Sequence, residues 1–146
     1  MSYKKYQLTV RPLEIADFDG FTPIGIQTNE LDGMRQIFAN GFPPHQGMAL
    51  DAEGNRVLMF GFYEIGPKVF EMWTIFSEDW NKTLYPAARK WMNDYCNKLE
   101  YDRLQHMVEM DRSWMDCVLG YLGFNFEKQV HVPEMGRDVF MYARVK

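Results

Sequence analysis

The chain has 146 residues, 47% hydrophobic, 16% aromatic and 25% charged, with 11 Met, 11 Phe and a formal net charge of -4. That hydrophobicity excludes a disordered segment, and the acidic balance, with a pI near 5.4, argues against a protein that coats nucleic acid. No apolar run approaches the roughly 18 residues that a membrane-spanning helix needs. The length predicts one domain, 1–146, able to bury about 70% of its unfolded surface without disulfide or metal staples. Met1-Ser-Tyr-Lys-Lys-Tyr6 leads into alternating residues rather than an apolar core, so no cleaved signal peptide is expected.

Leu8, Val10 and Pro12 alternate with Thr9 and Arg11 across Gln7–Leu13, the pattern of a first strand. Glu14–Asp19 reads as a short helical turn before Gly20. Leu31, Met34, Ile37 and Phe38 fall at helical spacing, which predicts a helix from a cap at Thr28 or Asn29 to Asn40. Gly41 ends it and Pro43-Pro44 prevents resumption. Gly47–Asp51 and Arg56–Glu64 flank the hairpin turn Ala52-Glu53-Gly54-Asn55, and Gly66-Pro67 turns into a third meander strand, Lys68–Phe76.

There the hydrophobic period changes from two to about 3.6. Leu84, Ala87, Ala88, Trp91, Met92, Tyr95 and Leu99 form one stripe, which predicts the longest helix over roughly Lys82–Glu100. Pro86 is tolerated in its first turn, and Ser77, Asp79 or Asn81 is the expected cap. Arg103–Glu109 reads as a strand. Trp114, Cys117, Val118, Tyr121 and Leu122 form a second amphipathic helix closed by Gly123, and Asn125–Val132 and Asp138–Val145 are two last strands. The strands joined by the long helix should run parallel, and most other pairs antiparallel. The expected class is α/β (α+β): a mixed central sheet with helices on both faces. On these elements Trp91, Met92, Tyr95, Trp114 and Tyr121 fall on core stripes of helices. Phe60, Phe62, Phe70, Met72, Phe140 and Tyr142 belong to the sheet.

Cys96 and Cys117 have no CxxC partner and read as buried free thiols of a reducing cytosol. His45, His106 and His131 are scattered without HxxxH spacing, so no metal site is expected.

The stretch Val118-Leu-Gly-Tyr-Leu-Gly-Phe-Asn-Phe-Glu127, a helix ending in Leu-Gly-Phe before a strand, resembles the GCN5-related N-acetyltransferase (GNAT) superfamily. Arg11-Pro12-Leu13 followed by Asp17 resembles that family's opening strand and first helix, and the order of elements is similar along nearly the whole chain. Met72-Trp-Thr-Ile-Phe-Ser-Glu-Asp79 and Tyr85-Pro-Ala-Ala-Arg-Lys-Trp91 carry a narrower similarity. It is to the GNAT-like proteins of tailed bacteriophages, including the group called internal virion protein A.

The resemblance implies a GNAT-like sandwich that takes acetyl-CoA as cosubstrate and an amine as acceptor. In the family a glycine-rich loop after the fourth strand cradles the pyrophosphate with backbone N–H groups at a helix N-terminus. The matching stretch here, Phe76–Pro86, has no glycine and carries Glu78 and Asp79. It is a poor phosphate loop, and an ordinary capped helix start describes it as well. The cofactor contacts that the resemblance implies are the strand end, Ile75, Phe76 and Ser77, with Lys82 and Thr83 as compensating donors. The family's general acid, a Tyr four residues before the Gly of Leu-Gly-Phe, is replaced by Leu119; Tyr121 is the nearest hydroxyl, and equally a packed stripe residue. For the general base the positions are Glu71 and Glu109, with Glu64 ending the preceding strand. A carboxylate in that role needs burial to raise its pKa. Alternation sets Glu71 beside Trp73 and Ile75, opposite Met72 and Thr74, and an ion pair with a neighbouring strand explains it as well.

Two functions follow. One is an acyl-CoA-dependent N-acyltransferase working by direct attack of an amine. The other is a non-catalytic virion or host-interaction protein on the same fold, with a protein partner. Either is expected in the cytoplasm, the host's or in the virion if phage-encoded, with no membrane and no nucleic-acid partner. The fourth and fifth strands discriminate: an acyl-transferring chain needs them splayed into a V-shaped slot, whereas a slot filled by Trp73 or Met107 favours the second function.

Overall fold

Turn chemistry sets the first half of the sheet. The computed structural model describes residues 8–24, 28–39, 45–80, 84–108, 119–133 and 136–146. Strands β1 (Leu8–Pro12), β2 (His45–Ala52), β3 (Asn55–Gly66) and β4 (Val69–Phe76) pair in sequence, each antiparallel to the next. Glu53 and Gly54 both take positive φ, 51° and 84°, the conformation of the two-residue hairpin turn whose twist matches its strands. A 3-10 turn (Ile15–Phe18) and helix α1 (Thr28–Ala39) lie between β1 and β2.

Helix α2 (Tyr85–Lys98) then carries the chain over the sheet to β5 (Arg103–Val108), which runs parallel to β4 as a helical crossover requires. β6 (Asn125–Val132) and β7 (Arg137–Val145) complete a seven-stranded sheet in the order β1-β2-β3-β4-β5-β7-β6. β7 is therefore inserted between β5 and β6, antiparallel to both.

The sheet is covered on both faces, as expected, which is why β3 is buried continuously from Val57 to Phe62 instead of alternating. On one face Leu31 and Met34 of α1 join Leu13, Phe18, Phe21, Met59, Trp73 and Ile75. On the other, Leu84, Ala88, Met92 and Cys96 meet Phe60, Phe62, Phe70, Met72, Leu104 and Tyr142. These are called the α1 face and the α2 face below. Tyr95 lies on the α2 face, stacked on Phe62 with ring centroids 5.6 Å apart.

Three expectations about the helices change. α2 begins at Tyr85 rather than Lys82, and its N-cap is Leu84, which makes no side-chain cap bond; the Ser77 hydroxyl instead accepts the N–H of Asp79 inside the preceding loop. Ala87 and Trp91 point outward, Trp91 with 45% of its surface exposed, because a helix lying flat on a sheet buries a narrower stripe than the apolar residues suggest. Tyr121 is 48% exposed as well. The second amphipathic helix lies within the described residues only at its end, 119–121. There Gly123 (φ 82°) donates to Gly120 O and Phe124 N–H to Leu119 O, the paired bonds of a Schellman cap. Leu119 and Phe124 are both buried on the α2 face, so Leu-Gly-Phe here is a cap locked by an apolar contact.

Cys96 is buried and free, and burial pushes its thiol up to about 12. Cys117 and Trp114 lie outside the described residues. Among the described residues no helix is long and apolar enough to cross a membrane.

Candidate active site

The parallel pair β4–β5 holds for only three registered positions: Val69 with Arg103, Phe70 with Leu104, and Glu71 with Gln105. Beyond them the strands part. β5 keeps its register with β7 through Val108–Phe140, while β4 keeps its register with β3 through Phe76–Leu58. The result is a fork that opens toward the C-terminal ends of both strands.

Backbone alternation fixes what faces the fork. Lys68 O accepts from Asp102 and Arg103, and Phe76 O accepts from Ile24, so the even-numbered residues of β4 direct their backbone groups to this edge. The N–H and C=O of Met72 and Thr74 share that direction. At the far end the edge is covered by residues 22–24: Ile24 N–H donates to Phe76 O at 3.0 Å and Glu78 N–H to Thr22 O at 2.9 Å.

Two polar side chains cross the fork, one on each face. On the α1 face Glu71, only 6% exposed, reaches from β4 to β5, where Oε2 accepts Gln105 Nε2 at 2.8 Å and Oε1 accepts the Met107 N–H at 3.2 Å. Burial holds its carboxyl above the ordinary carboxylate range, against those two donors and the nearby Arg103 charge. Gln105 is itself fixed, since its Oε1 accepts Arg103 Nε at 3.2 Å. Arg103 in turn makes a bidentate pair with Glu127, both bonds 2.7 Å. A continuous chain of polar contacts therefore runs from Glu127 to the carboxylate at the vertex.

On the α2 face His106 reaches back from β5, and its Nε2 shares a 3.3 Å hydrogen bond with Thr74 Oγ1 of β4. His106 is 2% exposed, and burial pushes its imidazole down to about 4 against an opposing backbone contact at Met72. The ring is thus neutral at neutral pH, and its Nδ1 has no hydrogen-bond partner among the described residues. Trp73 and Met107 are the two large side chains whose insertion would close the slot. Trp73 is buried on the α1 face beside Gly47, and Met107 is 45% exposed.

The remaining candidates separate from this constellation. Ile75 is fully buried and registered with Met59 of β3, away from the fork edge. Ser77 donates its N–H to Val57 O and accepts Trp80 N–H at its own carbonyl. With Phe76 O accepting Ile24 N–H, the backbone contacts of the strand end are made inside the protein. Tyr121 sits at the end of a helix on the α2 face, with the Arg89 guanidinium 3.9 Å above its ring, and the structure does not bring it to Glu71. Glu109, Lys82 and Thr83 lie outside the described residues. Glu64 lines a cavity of about 550 Å³ with Phe70, Tyr95 and Leu99, at the closed end of the fork.

Sequence reading missed His106, Thr74 and Gln105. A signal for His106 was present: it replaces an apolar residue between Leu104 and Val108 on the buried side of β5. Gln105 carried none, because its meeting with Glu71 depends on a register across a crossover of more than twenty residues.

No family model matches the sequence, and no curated protein matches it. Solved structures do match. One, provisionally described as a phosphinothricin N-acetyltransferase, is similar with a TM-score of 0.72 at 15% identity, over 95% of this chain and 98% of that one. A GNAT-family acetyltransferase from Bacillus anthracis gives 0.68 at 15% identity, over 97% and 96%. A protein from Salmonella typhimurium, provisionally described as an acetyltransferase and solved with its cofactor acetyl-CoA, gives 0.67 at 15% identity, over 94% and 93%. At such identities the likeness is one of fold: the chain has the α/β fold of the GNAT acetyltransferases.

Proposed function

We propose that the chain is an N-acyltransferase that moves an acyl group, acetyl in the first instance, from a coenzyme A thioester to an amine. The observation that carries this reading is the open β4–β5 fork with a buried carboxylate at its vertex. The fold supports it, as does the acetyl-CoA held by a neighbour of the same fold. The alternative, a virion or host-interaction protein, is favoured by the glycine-free stretch after β4, but it leaves the open fork and its polar crossings without a role.

A pantetheine arm would lie along the β4 edge beyond Glu71, where the register with β5 ends. Among the described residues of the loop after β4, the N–H groups of Glu78, Asp79 and Trp80 are already donated to Thr22 O, Ser77 Oγ and Ser77 O. No step is therefore assigned to the nucleotide end.

At the thioester end the residues divide the work. A thioester carbonyl seated at the fork would develop negative charge against the backbone of the β4 edge, and a fixed donor there favours the transition state. Glu71 accepts the proton released as an amine nitrogen bonds to the acyl carbon and the carbon–sulfur bond breaks. The departing thiolate takes up a proton from solvent, and Glu71 gives its own proton back to solvent before the next turnover. The burial that raises the carboxyl's pKa makes Glu71 a better base, and its bonds to Gln105 and Met107 hold it in one orientation.

Thiol release from acetyl-CoA, measured against a panel of primary amines and polyamines, tests the reading. Amine-dependent release is the expected result. Absence of release with every amine, together with no heat on titration of millimolar acetyl-CoA, would falsify it.

A further inference from the structure

We infer that Arg103 and Glu127 are positioning residues that set the protonation of Glu71 from beside the fork, through Gln105 and by charge. What that protonation serves rests on the acyl-transfer reading.

Geometry supplies the first half of the case. Glu71 Oε2 accepts Gln105 Nε2 at 2.8 Å, and Gln105 Oε1 accepts Arg103 Nε at 3.2 Å. A side-chain amide can turn over and exchange its donor for its acceptor. Arg103 offers only donors, so it fixes which end of Gln105 meets the carboxylate. Arg103 is fixed in its turn by the two oxygens of Glu127, at 2.7 Å each, across β7, which lies between β5 and β6. Met141 of β7 packs beneath this bridge, its Sδ 3.9 Å from Arg103 Nη2. A brace between β5 and β6 needs only the two bonds to Glu127, whereas Arg103 also turns its Nε to Gln105.

Charge acts along the same line. Burial raises the Glu71 carboxyl and the Arg103 charge lowers it, while Glu71 in turn helps to hold Arg103 protonated. Glu127 neutralises part of that cation, and its own carboxyl is held down by Arg103 and by Lys128, which is registered with Met141. Among the described residues, the other groups on this face stand as follows. Tyr63 of β3 is the register partner of Glu71 and is half-buried. Arg35 of α1 pairs with Asp19, and Asp17 and Asp51 pair with Arg11 and Arg56. Glu14 and Asp32 are exposed. His106, on the opposite face, is neutral at neutral pH.

Breaking this one ion pair from its two sides should give opposite results. Arg103→Gln removes the cation and leaves Glu127 bare, so the Glu71 carboxyl rises and the acidic limb of amine-dependent thiol release moves to higher pH. Glu127→Gln leaves the cation unneutralised, so the carboxyl falls and the limb moves to lower pH. The two side chains are 28% and 35% exposed, so solvent screening holds each shift to about half a pH unit. Arg103→Lys keeps the charge and should return the limb to within about 0.3 unit of native. The carbon-13 titration of the Glu71 carboxyl, assigned by its absence in E71Q, should follow the same shifts without reference to turnover. E127Q, altered at a half-exposed side chain, carries the test if R103Q does not fold. Limbs and titrations that stay within about 0.2 unit of native, or that move the same way in R103Q and E127Q, overturn the inference and leave acyl transfer intact. Opposed titrations with no thiol release from any of the proteins keep the tuning of Glu71 and remove the acyl-transfer reading.

Discussion

Replacing Glu71 by Gln keeps the side-chain volume and removes the charge, so it separates the chemistry of the vertex from its architecture. In the native chain both carboxylate oxygens are acceptors, one for Gln105 Nε2 at 2.8 Å and the other for Met107 N–H at 3.2 Å. Glutamine has one acceptor oxygen. If it stays on Met107, the new amide faces the amide of Gln105. If Gln105 turns over, its NH2 meets the Nε–H of Arg103, which now donates to Gln105 Oε1. One donor is left over wherever the mismatch is moved, at about 1–3 kcal/mol.

The opposing contribution has the sign of a raised carboxyl. Its stabilisation is fully present below the unfolded value of 4.5 and is lost as pH rises through the folded value. At neutral pH the native protein therefore bears the cost of a buried charge that E71Q lacks. The variant should lie within about 2 kcal/mol of native near pH 7 and fall further behind toward pH 4.5. Losing the proton acceptor should lower kcat by about 100-fold or more. Urea melts at the two pH values and amine-dependent thiol release across pH measure both effects. The acidic limb of the native rate profile should vanish in the variant. A folded E71Q with kcat within about threefold of native would reduce Glu71 to a brace between strands and refute the reasoning.

Three further substitutions probe the scaffold. His106, with its imidazole at about 4 against 6.5 when unfolded, gives stability present above pH 6.5 and lost as pH falls toward 4, about 3 kcal/mol in all. His106→Gln should flatten that part of the acid dependence of the urea midpoint, and an unchanged slope would contradict the burial argument. Asp17 accepts Arg11 at 2.8 and 2.6 Å and the Glu14 N–H at 2.7 Å, with Arg56 at 2.9 Å. Asp17→Ala should cost about 2–4 kcal/mol in chemical denaturation, less than a wholly buried network because the Arg11 side chain is 34% exposed; a loss below about 1 kcal/mol would show the cluster to be solvated. At Gly47 an added Cβ would lie 2.7 Å from Leu13 Cδ2, 3.1 Å from Leu13 Cβ and 3.4 Å from Trp73 Cζ2, so Gly47→Ala should cost about 1–3 kcal/mol. Calorimetry checks it, and an unchanged Tm would mean that β1 and β2 yield freely.

Much of the fold was legible because local chemistry and tertiary packing agree. The Glu53-Gly54 turn, the period change after Phe76 and the Gly123 cap each fix an element from within a few residues. The parallel β4–β5 pair followed from the length of the connection alone. Glu71 was legible as an acid in an apolar strand, and its face was set by alternation with Trp73 and Ile75. Where reading failed, the deciding partner was far off in sequence. Trp91 belongs to an apolar helical stripe, but how much of that stripe is covered depends on how α2 lies on β3 and β4. The use of the Phe76 and Ser77 backbone depends on residues 22–24 and Val57, which no local pattern ties to them.

The aromatic and Met-rich composition left open whether bulky side chains fill the space a donor would need. Their placement answers against it. Phe70, Met72 and Phe76 turn to the α2 face, while Trp73 and Ile75 turn to the α1 face. Large groups therefore lie above and below the fork, whereas the groups that cross it are a carboxylate and an imidazole. A sheet selected only for a filled core has no reason to bury either one. The carboxylate is held in a region that disfavours its charge, and the imidazole keeps an Nδ1 without a partner among the described residues. Both arrangements cost stability relative to an apolar pair of similar size. They also occur together, on opposite faces of the fork where the β4–β5 ladder stops. A local conflict with core-packing rules that coincides with an opening in the sheet is what a reactive site built into a scaffold looks like. That coincidence, more than either residue alone, is what the proposed transfer chemistry at the fork rests on.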